Sequence, residues 1–214
     1  MDSSAHPDLT LAHHLLLLSL DPQTGGRRAI VPTSFAISAL ALAELAMAGR
    51  IDVVNGRVTV ADPDPTGRPL LGAALSGVQN DTVRTPVRRI NQLRPVLEKL
   101  AVTQLLQLGL LRAVVTEGPV PRTVLRLADP NPVRRLAEHL RGRLGADEST
   151  LALVMGVRIA TLEHPVLGDD YRVVREHARE LVDSGAMRST VLLLLRAGHE
   201  ARAAAGPAPA PAVG

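Results

Sequence analysis

Residues 9–20, "LTLAHHLLLLSL", leave almost no polar face, the pattern of a helix buried on nearly every side. Asp8 or Thr10 suits its N-cap, and "DPQTGG" ends it with a proline and paired glycines. A second apolar segment, "SFAISALALAELAMAGR", is rich in Ala and Leu, with Thr33 or Ser34 as cap and Gly49 where a helix C-terminus favours one. Its small alanines fall on several faces, so neighbouring helices can approach closely, and the pattern predicts a central helix. The period then changes. "IDVVNGRVTVA", residues 51 to 61, alternates about Asn55-Gly56, which suits a type I′ turn and predicts a β-hairpin. "DPDPTG" reads as a rigid turn and "RPLLGAALSGV" as a short helix after it.

Further on, Thr85-Pro86 reads as a cap and first helical residue, and a second helix is expected to start at Pro95 and run to Gly109. Within it Leu97, Leu100, Leu105 and Leu108 form one stripe at helical spacing. "LLRAVV" and "RTVLRL" flank "TEGPVP" and predict a second hairpin over 111–127. Helices are expected from Asn131-Pro132 to Leu144, over roughly 149–160, through "DDYRVVREHARELVDSG", and from Met187 to about Ala204. The fold class that follows is mainly α: a single helical domain over 9–205, with central buried helices ringed by amphipathic ones and two β-hairpins. Residues 1–8 are expected to be a flexible N-terminus, and the Pro/Ala tail 206–214 to be disordered.

Composition narrows the function. Phe35 and Tyr171 are the only aromatic residues and there is no Trp, so the core is built from Leu, Val, Ala and Ile. Exposed rings for stacking single-stranded bases are lacking. With no cysteine, disulfides, thiolate metal sites and cysteine nucleophiles are excluded. No basic residue precedes the first apolar run, unlike a signal peptide, and no apolar run approaches the roughly 20 residues of a spanning helix. A cytoplasmic protein is expected. Lys99 is the single lysine beside 23 arginines, a bias of the kind a high-GC bacterial genome produces. The net charge of +3 is unevenly spread: residues 84–143 hold twelve basic against four acidic residues. Such a patch concentrates anionic ligands, although an Arg-rich helix face is also simply well solvated.

Candidate chemistry is sparse. His13 and His14 are adjacent and point about 100° apart on a helix, so they cannot chelate one ion together. Asp169-Asp170 is better read as a helix N-terminus than as catalytic acids. No phosphate loop, HExxH pair or serine-nucleophile motif is present, and neither an enzyme nor a cofactor is expected. Helix, helix and hairpin over 86–127 is the order of a winged-helix nucleic-acid-binding domain, the alternative reading. Against it, the 95–108 helix is apolar over most of its surface, with Glu98, Lys99, Gln104 and Gln107 as its main polar groups, too few to read base edges. No nucleic-acid partner is expected.

"LTLAHHLLLLSLD", "ELAMAGRIDVVNGRVTVADPDPTGRPLL" and "VLEKLAVTQLLQLGLLR" resemble, in order and spacing, the Golgi phosphoprotein family of eukaryotic phosphoinositide-binding adaptors and their bacterial relatives. The resemblance runs from about Leu9 to Ala204 and is most specific in "ELAMAGRI" and "DPDPTGRPLL". It implies a bacterial member with a helical core, a protruding hairpin, and peripheral binding to anionic phospholipid headgroups such as phosphatidylinositol 4-phosphate at the inner face of the plasma membrane. In the eukaryotic members one Trp and three Arg hold that headgroup. The first Arg of the family's "LRxVR" motif matches Arg94, the second falls on Leu97, the third on Ser38, and the Trp near Ala29. One of the four is retained. Arg27, Arg28, Arg84, Arg88 and Arg89 are the basic residues expected to gather near Arg94 and restore the missing charge. The basic tail that eukaryotic members use for coat-protein binding is replaced by "MDSSAHPD", so that partner is not implied. In the second hairpin Val115, Val120, Arg122 and Val124 are expected to contact either the membrane or a second protomer, since the resemblance implicates this element in both.

Overall fold

A computed structural model describes residues 9–23, 32–80, 85–116, 123–142 and 147–206. The expectations for 1–8 and the closing tail, and those placed on Arg27, Arg28, Arg84, Val120 and Arg122, lie outside the described residues. The predicted central helix is α2 (Ser34–Met47), buried at every position except Glu44 and Met47. Five helices pack around it: α1 (Leu11–Leu18), α3 (Pro69–Gln79), α4 (Pro86–Gln107), α6 (Glu148–Ile159) and α9 (Ser189–Ala204). Close approach is achieved by deleting side chains. A Cβ placed on Gly198 of α9 would stand 2.6 Å from the Ala39 Cβ of α2, and one on Gly156 of α6 would stand 2.6 Å from Leu40 Cδ1. The outer layer adds α5 (Asn131–Gly142), α7 (Glu163–Leu167) and α8 (Tyr171–Asp183), each burying a narrow apolar stripe or a few residues, such as Val133, Ala137 and Leu140 on α5.

Polar contacts fix the start of α1 and the end of α2. Thr10 caps α1 through a reciprocal box in which its N–H donates to His13 Nδ1 at 3.1 Å. Gly49 takes φ +70 after α2, and Arg50 N–H donates back to the Leu45 carbonyl at 2.9 Å. Arg188 caps the same end from across the fold, donating to the Met47 carbonyl at 2.8 Å while Glu148 holds its Nε at 2.9 Å. Glu44 accepts from the Leu11 N–H at 2.9 Å and from Arg68 Nη1 at 2.5 Å; Arg50 pairs with Asp62 and donates to the Pro65 carbonyl at 3.0 Å. The two most distinctive sequence blocks are therefore tied to each other and to α1, and their role is to hold the fold.

Both hairpins form. β1 (Ile51–Val54) pairs with β2 (Arg57–Val60) about Asn55 and Gly56, each with positive φ. β3 (Leu111–Val115) pairs with β4 (Thr123–Leu127) in antiparallel register. Three expectations need correction. Residues 86 to 107 form one continuous helix with Pro95 inside it, not two. Proline removes the bond to the Asn91 carbonyl, but Asn91 and Pro95 are both exposed, so the unpaired carbonyl falls on the solvent side and the buried side of the helix is undisturbed. The buried stripe is accordingly Ile90, Leu93, Leu97, Ala101 and Leu105; Leu100 is half-buried, and Leu108, at the C-cap, is 40% exposed. Asp170 stands at the N-cap of α8 but makes no capping bond, because a 3-10 turn over Gly168–Asp170 leads straight into the helix.

Candidate functional site

Arg94 projects from α4 toward the first turn of α2. Its guanidinium lies over the Phe35 ring, 3.6 Å from the centroid, and its Nε donates to Ser34 Oγ at 3.2 Å. The Nη1 group reaches Asn91 Oδ1 at 3.4 Å, one turn back on the same helix. Partial burial draws the Arg94 pKa below its usual value, opposed by the Glu98 charge, yet a guanidinium stays protonated throughout the pH range of a folded protein. No ion pair to Arg94 forms among the described residues. The N-terminus of α2, with its unpaired N–H groups and aligned dipoles, adds positive potential, and its first turn holds no acid. Thr33 Oγ1 and Ser38 Oγ are buried beside this turn and have no hydrogen-bond partner among the described residues. A cation beside a helix N-terminus forms an arrangement able to take up an anion.

The expected cluster of arginines around Arg94 is only partly realised. Arg88 is exposed, but six residues before Arg94 on a helix it points about 120° away. Arg89, assigned above to the anion-binding face, is fully buried and donates to the Gly77 carbonyl at 2.6 Å and to Gln92 Oε1 at 2.7 Å. It ties α3 to α4 and is closed to a headgroup. The signal was present in the spacing: Arg89 falls on the Pro86–Ile90–Leu93–Leu97 stripe, where only a paired charge is tolerated. Ser38 and Leu97, aligned with the missing pocket arginines, are themselves fully buried. The sequence reading gives Ser34 only a capping role and Phe35 no site role. Phe35, one of two aromatic residues in the chain and next to a hydroxyl at a helix start, was the clue.

In the second hairpin the register sets Arg112 opposite Arg126 and Val114 opposite Val124. Leu111 and Leu127 at its base are buried; toward the tip Val115 is 64% exposed and Val124 half-buried. His13 and His14 lie within the packed α1. His13 accepts from Thr10 at Nδ1, so its Nε2 carries the proton it shares with Gln104 Oε1 at 2.9 Å. Burial, with the charge of neighbouring His13, lowers the His14 pKa to about 4. Among the described residues no group of three His, Cys, Asp or Glu comes together to hold a metal ion.

The family model of Golgi phosphoprotein 3 (GPP34) matches residues 11–205 of this chain. No curated protein matches it.

Proposed function

The chain belongs to the Golgi phosphoprotein 3 family, and from that premise we propose that it is a non-enzymatic, adaptor-like protein that sits peripherally on membranes and holds anionic phospholipid headgroups through Arg94. The observation that carries the reading is the placement of Arg94: a cation pinned by Phe35 and Ser34, without an ion-pair partner among the described residues, beside the positive end of α2. Arg88 lends exposed charge on another face of α4. Peripheral attachment agrees with the helices, since none among the described residues is long and apolar enough to cross a membrane. The inner face of the plasma membrane is the surface this reading assigns. One retained pocket arginine favours anionic headgroups as a class, within which phosphatidylinositol 4-phosphate is the ligand the family relationship suggests. A winged-helix reading loses its basis, because the continuous α4 offers no separate recognition helix.

Vesicle flotation at low salt tests the proposal. Recovery is expected with phosphatidylcholine vesicles containing phosphatidylserine or phosphatidylinositol 4-phosphate, and not with phosphatidylcholine alone. Arg94→Gln should weaken it about fivefold, the effect of one basic residue near an anionic surface. Equal recovery with neutral vesicles would sink the reading.

A further inference from the structure

We propose that Arg112 and Arg126 form a two-arginine clamp for a lipid phosphate and set the depth at which the β3–β4 hairpin meets the membrane; this rests on the membrane-binding reading above. Register places the two residues directly opposite each other, so their side chains leave the same face of the hairpin. Both are exposed, and neither has an ion-pair partner among the described residues. Among the described residues, one guanidinium corner is engaged, where Arg112 Nη2 donates to the Ala128 carbonyl at 3.3 Å. Two like charges facing each other across a strand pair repel, and no carboxylate among the described residues pairs with either. A phosphate between them does, because each guanidinium presents a planar fork that fits two phosphate oxygens.

What lies beyond the pair identifies the occupant. The next residues on that face are Val114 and Val124, about 7 Å closer to the tip at the rise of an antiparallel strand. On the opposite face burial is lost along β3, from Leu111 at 2% exposed to Val115 at 64%. Within the described strands, valines thus lie on the tip side of an arginine pair. A phospholipid surface has the matching order: phosphates outside, acyl chains within. A second copy of the hairpin matches poorly, since neither β3 nor β4 contains an acid and the contact would set arginine against arginine.

The chain has no tryptophan, so Val115→Trp introduces a unique reporter of depth. With vesicles of equal parts phosphatidylserine and phosphatidylcholine its emission should shift to the blue, whereas inorganic phosphate alone should leave it unmoved. Arg112→Gln with Arg126→Gln should weaken vesicle partitioning roughly 30-fold, about fivefold for each charge, and abolish the shift. Arg126→Glu should bind at least as poorly while unfolding at the same or higher urea concentration, because the new carboxylate pairs with Arg112. That separates lost contact from lost fold. Partitioning within twofold of the unaltered protein in both variants, while Arg94→Gln still weakens it, would overturn the clamp and leave the Arg94 reading intact. No binding by the unaltered protein would refute both. Halved mass by light scattering with vesicle binding unchanged would make the hairpin a protomer contact and also refute the clamp.

Discussion

Gly198→Ala adds one methyl group at the closest approach of α9 to α2. The new Cβ would lie 2.6 Å from Ala39 Cβ and 3.2 Å from Ile159 Cδ1, against a preferred carbon–carbon separation of about 3.5–4 Å. Neither Cβ can rotate away, because each is fixed to its own backbone. The helices must therefore part by roughly 1 Å along an interface whose interior packing has no slack. Overpacking of this kind costs up to about 3 kcal/mol, and alanine returns about 1 kcal/mol of helix propensity. A net loss of about 2 kcal/mol is expected, lowering the melting temperature by roughly 4–8 °C for a chain of this length. Gly156→Ala is the internal control: it gains the same propensity but meets the Leu40 side chain (Cδ1 at 2.6 Å, Cγ at 3.0 Å, Cδ2 at 3.2 Å), which can change rotamer where the Ala39 Cβ cannot, so its loss should be smaller. Urea unfolding of both variants, and of Gly198→Ala combined with Ala39→Gly, gives the comparison. The double variant should recover much of the loss, since it restores the missing space. If Gly198→Ala is as stable as the original, or if removing the Ala39 methyl group gives no recovery, the small-residue account of the α2–α9 contact is wrong.

Two other substitutions probe the buried polar groups. His14 titrates near 4 in the folded chain against 6.5 when unfolded, so above pH 6.5 it contributes no pH dependence. As the pH falls from 6.5 toward 4 only the unfolded chain gains the proton, and stability should drop by about 3 kcal/mol. His13, also lowered by burial, adds to this slope, while Glu44, raised by burial above 4.5, opposes it; His14→Asn should flatten it, and an unchanged slope in chemical unfolding between pH 4 and 7 would exclude His14 as the source. Arg89→Met leaves the Gly77 carbonyl and Gln92 Oε1 without their donor, so unfolding should come about 2–3 kcal/mol sooner with vesicle affinity of the folded protein unaltered. Weaker vesicle binding at unchanged stability would return Arg89 to the surface.

Local signals read the fold well where one residue type has one use. Asn55-Gly56 demands positive φ at both positions and receives it, and the Ala-rich run at 34–47 can only be a helix with close neighbours. Proline was misleading at 95, because whether it ends a helix depends on which side of the helix the freed carbonyl faces, and that is decided by tertiary packing. The same limit governed the arginines. A charge count over 84–100 treats Arg88, Arg89 and Arg94 alike, whereas rotation about α4 sends one to solvent, one to the core and one onto Phe35. Arg112 went unremarked because its significance lies in its partner across the strands, 14 positions away in sequence, and register cannot be read from composition.

The Arg188 cap on α2 has a consequence for how the chain is made. The Met47 carbonyl waits for a donor 141 residues later, and the Ala39 face waits for Gly198. A ribosome adding roughly 5–20 residues per second leaves the almost wholly buried α2 without its main partner for about 7–28 s. During that interval α2 is a hydrophobic segment in search of any surface, and truncated chains that stop before α9 should be ready substrates for chaperones and for aggregation. The α2–α9 contact thus ties the burial of an early helix to one made more than 140 residues later.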